Sequence, residues 1–169
     1  MHAPAPPIRE AILDDLDEIF CVHQASVRGL CSVAYSSQHI QTWFVDRTTD
    51  IYRPVLEQGK LFVAELDQRI VGFVGALVGE VITLFVLPEV AGRGIGRALF
   101  LRGLSYAQQS CEGPITVLAT MNAVPFYKSF GFESIEEGWF VRGGEQLRYP
   151  VARMQLSPGA LLAPTGGDA

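Results

Sequence analysis

Apolar residues recur along the chain at two different spacings, and the changes of spacing mark its elements. Ile8-Arg9-Glu10 reads as a short first strand. Asp14 and Asp15 then open a helix that carries Asp17 and Glu18 in its first turn, where negative charge suits the helix dipole. Leu16, Ile19, Phe20, His23 and Val27 share one face of it at helical spacing. Ser36 or Ser37 caps a second short helix with Ile40, Trp43 and Phe44 at i, i+3, i+4. A third helical stretch is expected over 50–58, ending at Gly59.

The pattern then turns β-rich. Residues 60–66, 69–78 and 81–87 read as strands, with Asp67-Gln68 and Gly79-Glu80 as the turns. Connections this short make neighbouring strands antiparallel. Helical spacing returns over 94–110, with Gly96, Leu99, Phe100, Gly103, Leu104, Ala107 and Cys111 as the inner stripe. Residues 115–120 follow as a strand, 123–130 as a helix, and 133–142 with 146–156 as a closing strand pair. The strand–helix–strand unit over 81–120 is long enough for a parallel crossover, which should be right-handed. These elements make a mixed, mostly antiparallel α/β sheet with helices on both faces. Burial on two sides explains why several strands are apolar throughout rather than alternating. There is no internal repeat. The expected organisation is a Pro-rich flexible arm over 1–7, a single domain over 8–156 and a Pro/Gly-rich tail over 157–169.

Composition changes the picture at three points. Of the 169 residues 49% are hydrophobic, and 70–87 is almost uninterrupted, so a membrane span has to be weighed. Its β-branched residues, its three glycines and the central Gly79-Glu80 favour a buried hairpin, and no flanking Lys/Arg asymmetry orients a span. Residues 1–7 offer no apolar segment for a signal peptide. The net charge of −5 argues against a general nucleic-acid partner. Cys21, Cys31 and Cys111 show no metal spacing, and His2, His23 and His39 form no cluster. Buried thiols in a reducing cytoplasm and no metal site are the expectations.

The residues that carry chemistry begin at a strand end. Val86-Leu87-Pro88-Glu89-Val90-Ala91-Gly92-Arg93-Gly94-Ile95-Gly96-Arg97 runs from strand through a glycine-rich turn into the long helix. Glycines let backbone N–H groups approach a ligand, and a helix N-terminus favours an anion. Arg93 and Arg97 add positive charge in an acidic chain. The glycine spacing fits neither a dinucleotide fingerprint nor a P-loop, since no Lys-Ser/Thr follows Gly96. The residues alone leave a phosphate or pyrophosphate site beside a plain glycine-rich turn.

This segment resembles the acetyl-CoA signature of the GNAT N-acetyltransferase superfamily, Arg/Gln-x-x-Gly-x-Gly/Ala after a strand. A second block, from Leu118 through Asn122-Ala123-Val124-Pro125-Phe126-Tyr127 to Gly131-Phe132-Glu133, resembles the superfamily's later strand, Asn and Tyr motif and Gly-Phe pair. The opening Ile8-Arg9-Glu10-Ala11 with Asp15 is similar to a common start of such domains, so the resemblance covers about residues 8–156. Ala91 departs from the pattern, standing where Gln or Arg is usual.

The resemblance implies an acetyl-CoA-dependent N-acetyltransferase that acts by direct transfer to a primary amine of a small molecule, peptide or protein. Backbone N–H groups of Gly92, Arg93, Gly94, Ile95, Gly96 and Arg97 would hold the pyrophosphate. Backbone groups of Phe85, Val86 and Leu87 would pair with the pantetheine arm where two strands splay. Asn122 and Phe126 would belong to the cofactor site, and Tyr127 would give a proton to the thiolate. An N–H near Val86 would face the carbonyl oxygen. Glu80 stands roughly where related histone acetyltransferases carry a glutamate base, with His39 or a water as the other candidates. The segment Cys31-x-x-x-Tyr35-Ser36-x-x-His39-Ile40-x-x-Trp43 is similar to one in a bacterial subgroup that has Gln in place of His39. Tyr35, Ser36, His39 and Trp43 are therefore the acceptor-side candidates, although Ser36 as a cap and Trp43 as core are equally natural. A homodimer through the C-terminal strands is a further expectation. Two other readings share the fold: a non-catalytic acyl-CoA-binding module, and a transferase of a different acyl group.

Overall fold

The computed structural model describes residues 6–142 and 147–160. Most of the expected 1–7 arm, the start of the second closing strand at Gln146 and most of the 157–169 tail lie outside them. One seven-stranded sheet runs in the order β1-β2-β3-β4-β5-β7-β6. Its strands are β1 (Ile8–Glu10), β2 (Lys60–Leu66), β3 (Arg69–Leu77), β4 (Glu80–Val86), β5 (Ile115–Thr120), β6 (Glu133–Arg142) and β7 (Leu147–Leu156). The helices are α1 (Leu16–Leu30), α2 (Ser37–Thr42), α3 (Arg53–Gln58), α4 (Ile95–Ala107) and α5 (Val124–Lys128). All strand pairs are antiparallel except β4–β5.

The apolar stretch 70–87 is the β3–β4 hairpin, turned at Val78-Gly79 with Gly79 at φ +85°. No helix among the described residues is long and apolar enough to cross a membrane. β3 is buried from Ile70 to Ala76 because α1 and α3 cover one face and α4 the other. Phe73 meets His23 of α1 and the Tyr52 ring, while a Cβ on Gly103 of α4 would stand 2.7 Å from Val74. The successive side chains of β3 thus point to opposite helical layers.

Helix boundaries differ from the sequence pattern where tertiary hydrogen bonds intervene. α4 stops at Ala107 rather than at 110, and the Gly79 N–H donates to the Ala107 carbonyl at 2.8 Å. The stretch 123–130 begins as a 3-10 turn over Met121–Ala123 and is α-helical only over Val124–Lys128. α2 closes at Thr42, so Trp43 lies in the turn that follows.

The feature that positions the site is a bulge. Gly75 pairs with Thr83 but Ala76 pairs with Val81, which leaves Ile82 as an extra residue in β4. A bulge bends and twists its strand. β4 pairs with β5 only at Glu80–Thr116 and Val81–Val117, immediately before that residue. Beyond it the strands diverge, and β5 continues beside β7 as far as Thr120–Val151.

Candidate active site

Two cavities open where β4 and β5 part. The first, about 220 Å³, lies on the α1/α3 face and is lined by residues that include His23, Trp43, Arg47, Tyr52, Thr83 and Phe140. The second, about 190 Å³, runs toward the start of α4 and includes Cys31, Val86, Gly96, Asn122 and Phe126. Leu84, Phe85, Thr120, Ala123 and Tyr127 line both, so the cavities meet in the gap between the diverging strands.

Backbone geometry on the β4 side follows from one hydrogen bond. The Leu87 N–H donates to the Val71 carbonyl at 2.8 Å. By the alternation of an antiparallel ladder, Phe85 also turns its main chain toward β3, and Leu84 and Val86 turn theirs toward the gap. Of the trio expected to present backbone groups, only Val86 does so. Leu87 has its N–H committed, Phe85 contributes its ring, and Leu84 takes the place expected of its neighbours.

The glycine turn has the conformation its residues predict. Gly92 and Gly94 sit at φ +77° and +80°, a region that costs side chains with a Cβ. A 3-10 turn over Pro88–Val90 precedes them, and the Arg93 N–H donates to the Val90 carbonyl at 3.3 Å. Gly94 caps α4 without a side-chain contact, and the first helical bond runs from the Ala98 N–H to the Gly94 carbonyl at 3.0 Å. The N–H groups of Gly94, Ile95, Gly96 and Arg97 therefore have no partner within the helix. Arg93 and Arg97 are exposed, and the Arg97 guanidinium lies 5.3 Å from the centre of the Phe130 ring.

Asn122 and Cys31 form the floor of the second cavity. The Asn122 Oδ1 is buried and has no hydrogen-bond partner. Burial pushes the Cys31 thiol up to about 11, against a smaller opposing effect of its hydrogen bond with Asn122, so it is not a thiolate nucleophile at neutral pH. Phe126 packs against Phe100, Tyr127 and Phe130. Tyr127 is 6% exposed and stands at the junction of the cavities. Its ring contacts Phe100, Phe126 and Phe132, and burial raises its phenol well above the usual range. It therefore stays protonated.

The acceptor-side candidates divide. Trp43 is 2% exposed and walls the first cavity. Tyr35, Ser36 and His39 line neither cavity and instead fasten α2 to β7. The Tyr35 hydroxyl donates to the Pro150 carbonyl at 2.6 Å and accepts from the Met121 N–H at 3.1 Å. Ser36 caps α2, accepting from the His39 N–H, and its Oγ is 2.7 Å from His39 Nδ1. His39 Nε2 bonds the Arg148 carbonyl at 2.9 Å. A carbonyl can only accept, so Nε2 carries a proton.

Glu80 also lies outside both linings. It is the first residue of β4, at the paired end, before the bulge that opens the gap. The count of residues to the glycine turn cannot reveal on which side of the bulge it falls.

Three lining residues went unread in the sequence. His23 belongs to the inner stripe of its helix by spacing, and it is indeed buried. Yet its ring lies 4.0 Å from Phe85 and its Nδ1 is 2.9 Å from the Tyr52 hydroxyl. Burial holds that phenol protonated as well. The signal was available, since His23 is the one titratable member of an otherwise apolar stripe. Tyr52 and Arg47 carry no such signal, because only the fold of the 43–52 segment brings them in.

Likeness to known proteins assigns this arrangement, a parallel strand pair that parts beside a glycine-rich helix start, to a class of acyltransferases. Residues 19–149 match the family described as Acetyltransferase (GNAT) domain. An uncharacterized N-acetyltransferase of Archaeoglobus fulgidus is 36% identical over 115 residues, covering 59% of this chain and 72% of that one. Among solved structures, a GCN5-related N-acetyltransferase from Rhodopseudomonas palustris superposes with a TM-score of 0.81 at 21% identity, over 93% of this chain and 98% of the other. YncA from Salmonella typhimurium, solved with its cofactor acetyl-CoA, gives 0.65 at 20% identity over 96% and 99%. The chain belongs to the GNAT acetyltransferase family.

Proposed function

We propose that this chain, through the unit 8–156, transfers the acetyl group of acetyl-CoA directly to a primary amine of a small molecule or peptide. The observation that carries this reading is the junction at Tyr127, where a cavity with a buried, unpartnered amide oxygen meets one that holds a single titratable imidazole. Bound acetyl-CoA supplies an acetyl group held on a thioester. The residues present fit it. The N–H groups of Gly94 to Arg97, with the Arg93 and Arg97 side chains, suit the pyrophosphate. The Gly92 turn leaves the approach clear, with nothing within 4 Å of where a Cβ would stand. The Asn122 Oδ1 accepts from an amide N–H of the arm, and the gap-facing main chain of Leu84 and Val86 offers a strand edge to it.

The remaining roles follow from protonation. An ammonium cannot attack, so the acceptor must lose a proton. His23 is the lining residue whose ordinary pKa allows uptake near neutrality, and we assign it the base role in place of Glu80. The N–H of Val86 is the donor assigned to the carbonyl oxygen as charge builds there. Tyr127 keeps its proton and delivers it to the departing thiolate. The raised Cys31 thiol favours transfer without an acyl-enzyme. The three cysteines are free thiols, which supports a reducing, cytoplasmic setting.

A thiol-release assay with acetyl-CoA against an amine panel, run beside calorimetric binding of CoA, tests the proposal. Tyr127→Phe should lower kcat by about 100-fold or more with CoA affinity unchanged. CoA binding with no transfer to any amine or protein lysine would instead establish a non-catalytic module. Turnover only with longer or charged acyl-CoAs would replace the acetyl group in the reading.

A further inference from the structure

The first cavity has a charge pattern that selects its occupant. Among the described residues, neither cavity is lined by an Asp, Glu or Lys, and the one permanently charged side chain in either lining is Arg47. It is half-buried, its Nη1 is buried without a hydrogen-bond partner, and it makes no ion pair among the described residues. The nearby Asp50 does not neutralise it, because that carboxylate is 2.6 Å from Arg53, and Asp46 is exposed. Asp46 itself sits at φ +57°, and the turn that it closes brings Arg47 back toward the cavity, with the Arg47 N–H bonded to the Phe44 carbonyl at 3.1 Å. A guanidinium withdrawn from water without a counter-ion is costly unless something pairs with it.

We infer that the acceptor is a small amine that also carries a carboxylate, and that Arg47 binds that carboxylate. This rests on the acetyl-transfer reading for the amine, but the carboxylate site stands on the cavity alone. The residues shared with the cofactor-side cavity fix where the amine must arrive, at Tyr127 and Thr120. Arg47 and His23 line only the first cavity, so the anion binds away from the gap. Trp43, Ile51, Val55, Leu118 and Phe140 supply apolar walls to the same cavity. A cavity of about 150 Å³ holds benzene, so 220 Å³ takes an apolar amino acid rather than a large antibiotic. Polyamines would bring a second cation beside Arg47 with no carboxylate to receive it.

The test uses the CoA-loaded full chain and matched probes: phenylalanine, leucine and 4-(aminomethyl)benzoate, each against its own carboxamide, with spermidine as the cationic control. Calorimetry should show at least one acid binding about 10- to 100-fold more tightly than its amide, the range of a charge-assisted hydrogen-bond pair. Arg47→Gln should abolish that preference, and Arg47→Lys should retain part of it. Amides binding as well as acids, no acid binding at millimolar concentration, or a preference that survives Arg47→Gln would each overturn the inference. Thiol release recorded on the same samples separates the two claims. Transfer to amides or spermidine without acid preference keeps the acetyltransferase and removes the carboxylate site. Acid-selective binding without transfer does the reverse.

Discussion

At the scale of the residue, the site is built from side chains whose protonation is fixed by burial. Tyr127 and Tyr52 are held as phenols, Cys31 as a thiol, and Arg47 is pulled below its ordinary value mainly by desolvation. That last effect has a stability consequence. Arg47→Met removes a half-buried cation that has no ion-pair partner among the described residues and keeps most of its apolar stem. The expected gain in the ligand-free protein, after allowing for solvent screening, is about 0.5 kcal/mol, or a rise of ~1–2 °C in Tm by calorimetry. His23→Gln should lower kcat by about 100-fold while CoA binding is unchanged, and the loss should be partly recovered at high pH, where free amine is abundant. A loss that ignores pH would remove the base role.

At the scale of the element, the glycine turn and the bulge do different work. Gly94 holds φ +80° where no neighbour lies within 4 Å of the position a Cβ would take, so Gly94→Ala is penalised by backbone conformation alone. That costs about 1–2 kcal/mol and, where the strain falls on the bound turn, should weaken CoA binding by up to roughly 5- to 30-fold with little effect on acceptor affinity. Gly59, between α3 and β2, is the opposite case. A Cβ there would stand 2.1 Å from the Ala76 carbonyl oxygen, and backbone cannot yield as a side chain does. Gly59→Ala should lose about 2–3 kcal/mol in a urea titration and leave CoA affinity per folded molecule untouched.

At the scale of the whole molecule, one ion-pair cluster ties the chain start to the sheet. Arg9 of β1 donates to Asp15 at 2.7 and 2.9 Å and to Glu65 of β2 at 2.7 Å, and the Ile12 N–H also donates to Asp15. The Arg9 hydrogen bonds hold the Asp15 carboxyl below its ordinary 3.8, outweighing desolvation. A carboxyl depressed in the folded state stabilises above its unfolded pKa and loses that contribution as pH falls through the folded one. The urea midpoint should therefore be flat near neutrality and decline below about pH 4–5. Asp15→Asn should flatten part of that acid limb and cost about 1 kcal/mol at pH 7, modest because Arg9 is partly exposed.

Local rules were enough to read much of this molecule. β-rich apolar runs bounded by turn residues located the strands within a residue or two, because strand preference and turn chemistry are properties that each segment carries by itself. The glycine turn into α4 was legible for the same reason, since its conformation and its free N–H groups are properties of adjacent residues. The cavity linings were not. Tyr35, Ser36 and His39 are polar and close in sequence, yet Tyr35 and His39 spend their hydrogen bonds on Pro150, Met121 and Arg148, partners remote along the chain. Glu80 and the gap are separated by Ile82, a bulge that exists only because β3 and β4 pair out of step. His23, Arg47 and Tyr52 meet in one cavity because a helix and a turn fold over a strand pair that has already parted. Short-range chemistry, written in adjacent residues, was sufficient for the elements, the family and the glycine turn. Which side chains face the reacting groups depends on long-range register and packing, and that information exists only once the chain has folded.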